Sequence, residues 1–493
     1  MTILGMNFWD ILVVVVYLLV ITGVGIYTAR KVKTVGDFFL GGRKFGKLLT
    51  AARDFGIGTS TDEPVVVVGQ SYTIGLAGVW YTLINMVATP FYWLIRPWFR
   101  RLRLFTIGDF CQMRFGSSFG YFYSFFGLLL TAVTIGLILK GTAAAVEGVT
   151  GGVIPLWVVV VIMAVLFLLY GAAGGQYAAV FTNVFNAFFI IVLSVLLIPF
   201  CVVKAGGFTP IARAVNDPEY FNLIAGSGKE VTGAFIAITA LVTLTATMGN
   251  PNVATVIGKT EWETRMGITH GMLLKRFCTV AWAFSGIFFF ALQSNVEADQ
   301  VFGTAIATVL PIGLIGLMVA AMMATAMSCC QGYMIIAGAY FLENFYKRLL
   351  TSKSEKHYLF VSRIASVLCA TAGIAFALVF PTLVDLLKYA WVVPSFVGMT
   401  IWASFAWRRI NRYSAWLTAI VTFTTERICA YYGMDFVPKC IIYLSIGWVT
   451  LIVVSLLTPR EPQDKLDEFY ALLHTPIGQE DRLKYAEVPI LHY

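Results

Sequence analysis

Two hydroxyls and two carboxylates interrupt an apolar run that is long enough to cross a membrane. The segment Ser60–Pro64 reads Ser-Thr-Asp-Glu-Pro and lies inside the run 48–80. Such groups can bind an ion or a polar solute, but a charge buried in the bilayer costs free energy, and proline disrupts the helix turn before it. The sequence therefore predicts two half-helices with an unwound segment from Gly58 to Thr61. Thr61 is expected to cap the second half, whose electropositive first turn would hold both carboxylates.

The same local pattern is also typical of an ordinary helix start at a membrane surface. Apolar residues on both sides favour the deeper placement, where broken helices hold substrates and ions in secondary transporters. A second interruption, Gly249–Asn252, breaks the run 240–259 five predicted spans further along the chain. Two broken spans in corresponding positions of two halves indicate an inverted-repeat transporter.

The composition is that of a membrane protein. Of the 493 residues, 59% are hydrophobic and 12% are charged, with a mean hydropathy of +0.81, whereas soluble domains carry about 25% charged residues. The net charge of +9 comes from basic residues in short loops, which is the positive-inside pattern and predicts no nucleic-acid partner. We expect an all-α, multi-pass integral protein of the cell (plasma or inner) membrane, surrounded by the lipid bilayer.

The sequence shows no pattern of catalytic or metal-ligating side chains. Its eight cysteines have no zinc or disulfide spacing, and no GxxxxGK[ST] loop indicates an ATP-driven pump. No nucleophile and base are paired as in an enzyme, and no obligate protein partner is evident. A carrier is the leading hypothesis. A non-transporting sensor is the alternative from another class, and the short polar C-terminal segment disfavours it.

Apolar segments of about 20 residues number roughly thirteen along the chain. Basic segments fall on one side of the membrane if the N-terminus is outside and the C-terminus inside. These segments are Arg30–Lys33, Arg43–Lys47, Arg96–Arg103, Lys347–Lys356 and Arg408–Arg412. A single transmembrane domain is expected over 1–459, followed by a cytoplasmic tail over 460–493.

Five motifs resemble segments of the sodium:solute symporter family, which includes sodium/proline, sodium/glucose and sialic acid carriers. In chain order they are Asp37–Arg43 (DFFLGGR), Thr106–Gly116 (TIGDFCQMRFG), Tyr170–Asn183, Gly249–Asn252 (GNPN) and Pro311–Arg348. The resemblance implies a leucine-transporter-like core of two inverted five-helix repeats, expected at 46–203 and 232–408. One extra helix, about 6–28, would precede this core, and two extra helices, 413–458, would follow it.

The resemblance also implies a sodium site between the first broken helix and a later span. Its implied oxygen ligands are the backbone carbonyls of Gly56, Thr59 and Thr325 and the hydroxyl of Ser328. The family's second hydroxyl falls on Cys329, a poor ligand for sodium, and its aspartate on the inward ion path falls on Asn183. The implied cofactor is therefore sodium at a degraded site, with a proton acting through Asp62 or Glu63 as the alternative.

By the same resemblance, a small polar solute would bind between the two broken helices. The residues expected to line its cavity are Gly58, Asp62, Glu63, Asn85, Asn250 and Asn252. Trp80 and Tyr81 could add to the wall, although aromatic residues in such spans more often only pack. Lys275 either matches a basic position of the family at the inner end of the eighth span or extends to the membrane interface.

Two carboxylates in one pocket favour a cationic or hydroxyl-rich solute over an anion, because a buried unpaired charge needs a partner. Sugars, polyols, amino acids and amines all remain open. The leading hypothesis is symport with sodium by alternating access, and a proton-coupled or sodium-independent carrier on the same fold is the alternative.

Overall fold

The computed structural model describes residues 2–3, 5–29, 34–226, 228–350 and 353–485. Some of the predicted positions lie outside the described residues. They are the basic segment Arg30–Lys33, residues Thr351 and Ser352 of the basic segment Lys347–Lys356, residues 486–493 of the tail, and the side chain of Tyr170. A two-stranded antiparallel pair, β1 (Thr2–Ile3) and β2 (Met6–Asn7), precedes the first helix.

Helices make up most of the described chain. Those of the first half are α1 (Phe8–Ala29), α2 (Val35–Leu40), α3 (Lys47–Gly58), α4 (Asp62–Ile74), α5 (Trp80–Leu83), α6 (Tyr92–Leu102), α7 (Ile107–Phe115), α8 (Ser117–Val149), α9 (Leu156–Ala205) and α10 (Phe208–Val215). Those of the second half are α11 (Gly233–Gly249), α12 (Glu261–Phe290), α13 (Val301–Val309), α14 (Leu314–Phe341), α15 (Lys347–Leu349), α16 (Glu355–Val379), α17 (Leu383–Ala406), α18 (Arg412–Tyr431), α19 (Phe436–Leu457), α20 (Gln463–His474) and α21 (Asp481–Tyr485).

Many of these helices have the length and composition of membrane spans. Among the described residues, seven helices are long and apolar enough to cross a bilayer. The number is eight if the helix pair 62–88 and 92–102, which is bent by 52°, is counted as one span. Shorter apolar helices cover 8–24, 156–165 and 233–249. A multi-pass, helical membrane fold is confirmed, and the finer count of about thirteen spans stays a prediction.

The first predicted helix break is confirmed, since α3 ends at Gly58 and α4 begins at Asp62. The predicted capping role of Thr61 is wrong. Its backbone already has helical angles (φ −69°, ψ −20°), and its side chain makes no capping hydrogen bond. The Thr61 hydroxyl instead contacts the hydroxyl of Thr142 on α8, so a neighbouring helix holds this side of the break.

The second predicted break is also confirmed. Helix α11 ends at Gly249, and the side-chain oxygen of Asn250 accepts a hydrogen bond of 3.0 Å from the backbone N–H of Asn252. This contact starts a 3-10 turn, Pro251–Ala254, because proline fits the first helical position. The chain then runs beside the start of the first repeat, where the backbone N–H of Lys259 donates to the Phe45 carbonyl at 3.0 Å.

Glycines on both helices allow close packing between the C-terminal end of α11 and α17. An added Cβ on Gly249 would meet the backbone carbonyl of Pro394 in α17, and one on Gly398 would meet the carbonyl of Thr245 in α11. Glycine also breaks α9, where Gly175 has a φ of +55° that side chains with a Cβ rarely adopt. Helix α9 therefore consists of two helical segments joined at a kink.

The C-terminal segment packs against the rest of the chain. The Tyr470 hydroxyl of α20 donates to the Ser404 carbonyl at 2.6 Å, at the end of α17. Arg101 of α6 forms two hydrogen bonds of 2.9 Å with Glu261 at the start of α12, and Glu261 also accepts one from the backbone N–H of Ile477. The segment after α19 therefore joins the ends of three membrane helices.

Candidate functional site

The two helix breaks open onto one cavity of about 200 Å³. The six residues predicted for the solute all line it: Gly58, Asp62, Glu63, Asn85, Asn250 and Asn252. Four lie at the two breaks and Glu63 lies in the first turn of α4, whereas Asn85 comes from the 3-10 turn between α5 and α6. The structure thus brings the predicted set together, and its role in solute binding remains a prediction.

The aromatic side chains considered for the wall are not part of it. The Trp80 indole N–H donates to the Leu223 carbonyl at 2.8 Å, and the Tyr81 hydroxyl donates to the Glu230 carboxylate at 2.9 Å. Neither residue lines the cavity. Both pack the region between α5 and the loop before α11, as is usual for aromatic residues in such helices.

Glu63 already has a basic partner. The Nζ atom of Lys275, on α12, lies 2.5 Å from Glu63 Oε1, and it also donates to the Gly58 carbonyl at the end of α3. Lys275 is only 5% exposed, so the interpretation that it extends to the membrane interface is wrong. Because this ammonium contacts residues on both sides of the first break, it holds α3 and α4 against α12.

A second buried charge cluster lies next to the cavity. Arg53 and Asp54 form an ion pair of 2.6 Å, and Arg96 lies 3.8 Å from the same carboxylate. Arg53 also donates to the Asn252 side-chain oxygen at 3.3 Å, which connects the first broken helix with the second. The basic segment predicted to start at Arg96 is therefore wrong at that residue, because Arg96 is buried in α6 and lines the cavity.

Asp62 is buried without a basic partner. It is 2% exposed, no Lys or Arg nitrogen of the described chain lies within 4.0 Å, and its Oδ1 atom has no hydrogen-bond partner there. It lies in the first turn of α4, where the N-terminal partial charge stabilises an anion. Gly141 of α8 packs against its backbone, which fixes the position of the carboxylate.

Arg276, beside Lys275 on α12, is the complementary case. It is 5% exposed and lines the cavity. One of its terminal nitrogens donates to the Thr82 carbonyl at 2.9 Å, and its Nε atom has no partner among the described residues. No described carboxylate forms an ion pair with it within 4.0 Å.

The charges of the cavity change the expectation about the solute. Two acidic side chains, Asp62 and Glu63, and three basic ones, Arg96, Lys275 and Arg276, line it. The argument for a cationic solute assumed two unpaired carboxylates, and this premise is wrong because Glu63 is paired.

The residues predicted to bind sodium also come together, where α14 crosses the end of α3. The Cys329 thiol donates to the Gly56 carbonyl at 2.9 Å and lies 3.9 Å from the Thr59 carbonyl. The hydroxyl of the adjacent Ser328 donates to the carbonyl of Thr325, one turn earlier on α14, at 3.0 Å. Three carbonyls and one hydroxyl are hard oxygen donors and fit a sodium ion, whereas the thiol at the fifth position is soft.

Two asparagines flank these positions. Asn186 donates to the Ser328 hydroxyl at 3.1 Å and to the Ala324 carbonyl at 3.2 Å. Asn183 is fully buried, and neither atom of its amide has a hydrogen-bond partner in the described part of the chain. The side-chain amide of Asn183 and the hydroxyl of Thr59 both lack a hydrogen-bond partner among the described residues. Buried polar groups of this kind indicate that a further polar ligand is needed there.

Sequence reasoning missed the basic side chains in the cavity and next to it. Arg53, Arg96 and Arg276 lie inside apolar segments. An ionisable residue at membrane depth is a candidate functional residue and is expected to have a polar or charged partner. That signal was present in the pairs Arg53–Asp54 and Lys275–Arg276. Hydropathy cannot tell, however, which charge meets which after folding.

Comparisons with known proteins agree on one family. The model of the Sodium:solute symporter family matches residues 38–422. The chain is 25% identical to the sodium/glucose cotransporter of Vibrio parahaemolyticus, over 74% of this chain and 73% of that protein. It is 24% identical to the high-affinity proline transporter PutP of Bacillus subtilis (strain 168), over 90% of this chain and 98% of that protein.

The fold has solved counterparts. A Na⁺-coupled sialic acid symporter in its substrate-bound outward-open state aligns with a TM-score of 0.78 at 20% identity, covering 93% of this chain and 99% of that one. Mhp1, a nucleobase-cation-symport-1 family transporter, aligns in its closed conformation with a TM-score of 0.53 at 13% identity, covering 88% and 98%. At these identities the likeness shows the fold alone, which is leucine-transporter-like.

Proposed function

The chain belongs to the sodium:solute symporter family, and on this premise we propose that it carries a small polar solute together with sodium by alternating access. It is an integral, multi-pass membrane transporter and not an enzyme. The observation that carries the proposal is that both helix breaks open onto one buried, charged cavity. Relatives named for glucose, proline and sialic acid support a small polar solute.

The solute is proposed to bind among the six residues at the two breaks. Asp62 offers a carboxylate oxygen that has no partner among the described residues, and Asn85, Asn250 and Asn252 offer amides that can donate and accept. Glu63 acts mainly through Lys275, which it orients toward the Gly58 carbonyl. The backbone N–H and C=O groups at the two helix breaks also suit a ligand, because a backbone group left unpaired at membrane depth needs a hydrogen-bond partner.

Alternating access is proposed to use the repeats 46–203 and 232–408. Each repeat begins with a broken helix, α3–α4 in the first and α11 with its 3-10 turn in the second. Counting α5–α6 as one span and α9 as two gives thirteen spans, with extra helices near 6–28 and 413–458. The N-terminus is assigned to the outside of the cell membrane and the tail, 460–493, to the cytoplasm.

Sodium is the proposed coupling ion. A bound sodium would supply a positive charge, and the sodium gradient across the membrane would drive the solute inward. The carbonyls of Gly56, Thr59 and Thr325 and the hydroxyl of Ser328 would hold it. Cys329 donates its thiol proton to one of these carbonyls, so sodium competes with that hydrogen bond. The unpaired Asp62 supports a proton as the second candidate, because a buried carboxylate without a cation can take one up.

Counterflow into proteoliposomes, run with a solute panel in the presence and absence of sodium, tests the proposal. We expect accumulation of at least one solute in sodium, and loss of it in the Asp62→Asn variant. The control is Lys439→Gln, which removes a charge paired with Glu426 away from the cavity. Accumulation that is the same without sodium would overturn sodium coupling, and accumulation unchanged in the Asp62 variant would overturn the site.

A further inference from the structure

In the described chain, the guanidinium of Arg276 has no carboxylate within 4.0 Å and the carboxylate of Asp62 has no Lys or Arg nitrogen within 4.0 Å, and we infer that the solute supplies both missing partners. The geometry points to a small carboxylate that also carries a hydroxyl or ammonium group. Its carboxylate would pair with Arg276, and its donor would bond to Asp62. This inference rests on the proposed function and names the class of its solute.

Each of the other charges of the cavity and of the neighbouring Arg53–Asp54 cluster forms an ion pair within 4.0 Å. Glu63 is paired with Lys275 at 2.5 Å. Asp54 is paired with Arg53 at 2.6 Å and with Arg96 at 3.8 Å, and Arg96 also donates to the Thr255 carbonyl at 2.8 Å. Arg276 alone among these basic groups has no carboxylate within 4.0 Å in the described chain.

The sum of the charges agrees with the missing partner. The cluster has three acidic groups, Asp54, Asp62 and Glu63, and four basic groups, Arg53, Arg96, Lys275 and Arg276. Its formal charge is therefore +1, and sodium bound near Gly56 would raise that to +2. A buried excess of positive charge is costly unless an anion compensates it.

Arg276 has the right chemistry to receive that anion. A guanidinium presents five donors in a planar fork that matches a carboxylate. Among the described residues, one terminal nitrogen of Arg276 has a partner, the Thr82 carbonyl, and Nε has none. The side chain is 95% removed from solvent and lines the cavity, so a carboxylate entering there would form charge-assisted hydrogen bonds with little competition from water.

Asp62 sets the second requirement. Its Oδ1 atom is buried and has no hydrogen-bond partner in the described residues, and a carboxylate can only accept hydrogen bonds while it is ionised. A hydroxyl or ammonium group on the solute satisfies it. A plain carboxylate without such a donor leaves this oxygen unsatisfied and is expected to bind more weakly.

Sodium and such a solute should bind cooperatively. The carboxylate of the solute and the sodium ion carry opposite charges that offset each other, and linkage requires that a ligand which favours sodium is favoured by sodium to the same degree. A neutral polyol lacks this electrostatic coupling.

The test is thermal unfolding of the purified full-length protein in detergent, with matched pairs of probes in sodium and in potassium. The pairs are gluconate with glucose, galacturonate with galactose, lactate with propane-1,2-diol, and proline with pyrrolidine. We expect sodium-dependent stabilisation only from carboxylate members, with the affinity in Arg276→Gln lower by roughly 10- to 100-fold, the usual loss for one charged hydrogen bond. Lys439→Gln is the matched control for loss of one positive charge.

A second variant keeps the test decisive if Arg276→Gln folds poorly. Arg276→Lys retains the charge but loses the planar fork, and we expect it to recover part of the affinity. Stabilisation by a neutral or purely cationic member, or by no carboxylate member, overturns the inference. Sodium-driven uptake of a neutral member would overturn the inference about the solute class and leave the proposed sodium symport intact. Transport that needs no sodium would overturn the proposed sodium symport instead.

Discussion

Removing the carboxylate of Glu63 should destabilise the protein through the charge it leaves behind. Lys275 Nζ lies 2.5 Å from Glu63 Oε1, and the two side chains are 7% and 11% exposed. Two unit charges at that distance attract each other by roughly 7 kcal/mol at an effective dielectric constant of 20. The cost of desolvating both groups offsets most of this attraction, so the pair itself contributes little net stability.

Breaking the pair is a different matter from replacing it. In Glu63→Gln the ammonium of Lys275 stays buried without an acid, and such a change typically costs about 3–5 kcal/mol. In the double variant Glu63→Gln/Lys275→Gln no charge is stranded, so most of that loss should be recovered. The control is Asp467→Asn, which breaks the exposed pair with Arg408 and should cost about 1 kcal/mol or less.

Apparent unfolding temperatures of the purified variants, measured side by side in one detergent, provide the readout. The order expected is wild type and Asp467→Asn highest, the double variant next and Glu63→Gln lowest. The reasoning is refuted if Glu63→Gln unfolds at the wild-type temperature. The single variant Lys275→Gln is measured as well, and the reasoning is equally refuted if the double variant falls by the sum of Glu63→Gln and Lys275→Gln, because a coupled pair cannot be additive.

Two further variants test the neighbourhood of the sodium residues. Cys329→Ser replaces the soft thiol by a hydroxyl and should lower the sodium concentration for half-maximal solute binding by roughly 5- to 150-fold, from about 1–3 kcal/mol for one restored polar contact. An unchanged sodium dependence would contradict this. Gly56→Ala should lower the unfolding temperature, because its Cβ would lie 2.5 Å from Cγ of Asn183, and the double variant Gly56→Ala/Asn183→Ala should recover part of the loss; equal unfolding temperatures for the two would show that the contact is not responsible.

The elements that the sequence predicted well are those with a local cause. Glycine, proline and asparagine interrupt apolar runs at 58–64 and 249–252, and the structure breaks its helices there. The prediction failed where a local rule met a neighbouring helix. Thr61 has the residue type of a cap, but its hydroxyl contacts Thr142, which lies 81 positions further along the chain.

The residues of the site were predictable in part. The six residues expected around the solute share one cavity because both breaks are local features that the fold brings together. Two contacts of the site depend instead on how distant helices pack. They are the ion pair of Glu63 with Lys275 and the hydrogen bond of Arg53 to Asn252, each between residues that lie far apart in the sequence. A single sequence carries no information on those pairings, and for this reason the expectation of a cationic or hydroxyl-rich solute began from two unpaired carboxylates, of which Glu63 is in fact paired.

Equilibrium binding of sodium and solute to the same protein tests the central claim most directly. A solute identified by counterflow is titrated at several sodium concentrations, with ionic strength held constant by potassium, in wild type and in Asp62→Asn. A coupled site at the two helix breaks predicts that the solute Kd falls as sodium rises, and that the Asp62 variant loses solute affinity. A solute Kd that is independent of sodium, or unchanged by the loss of the Asp62 charge, would contradict the account.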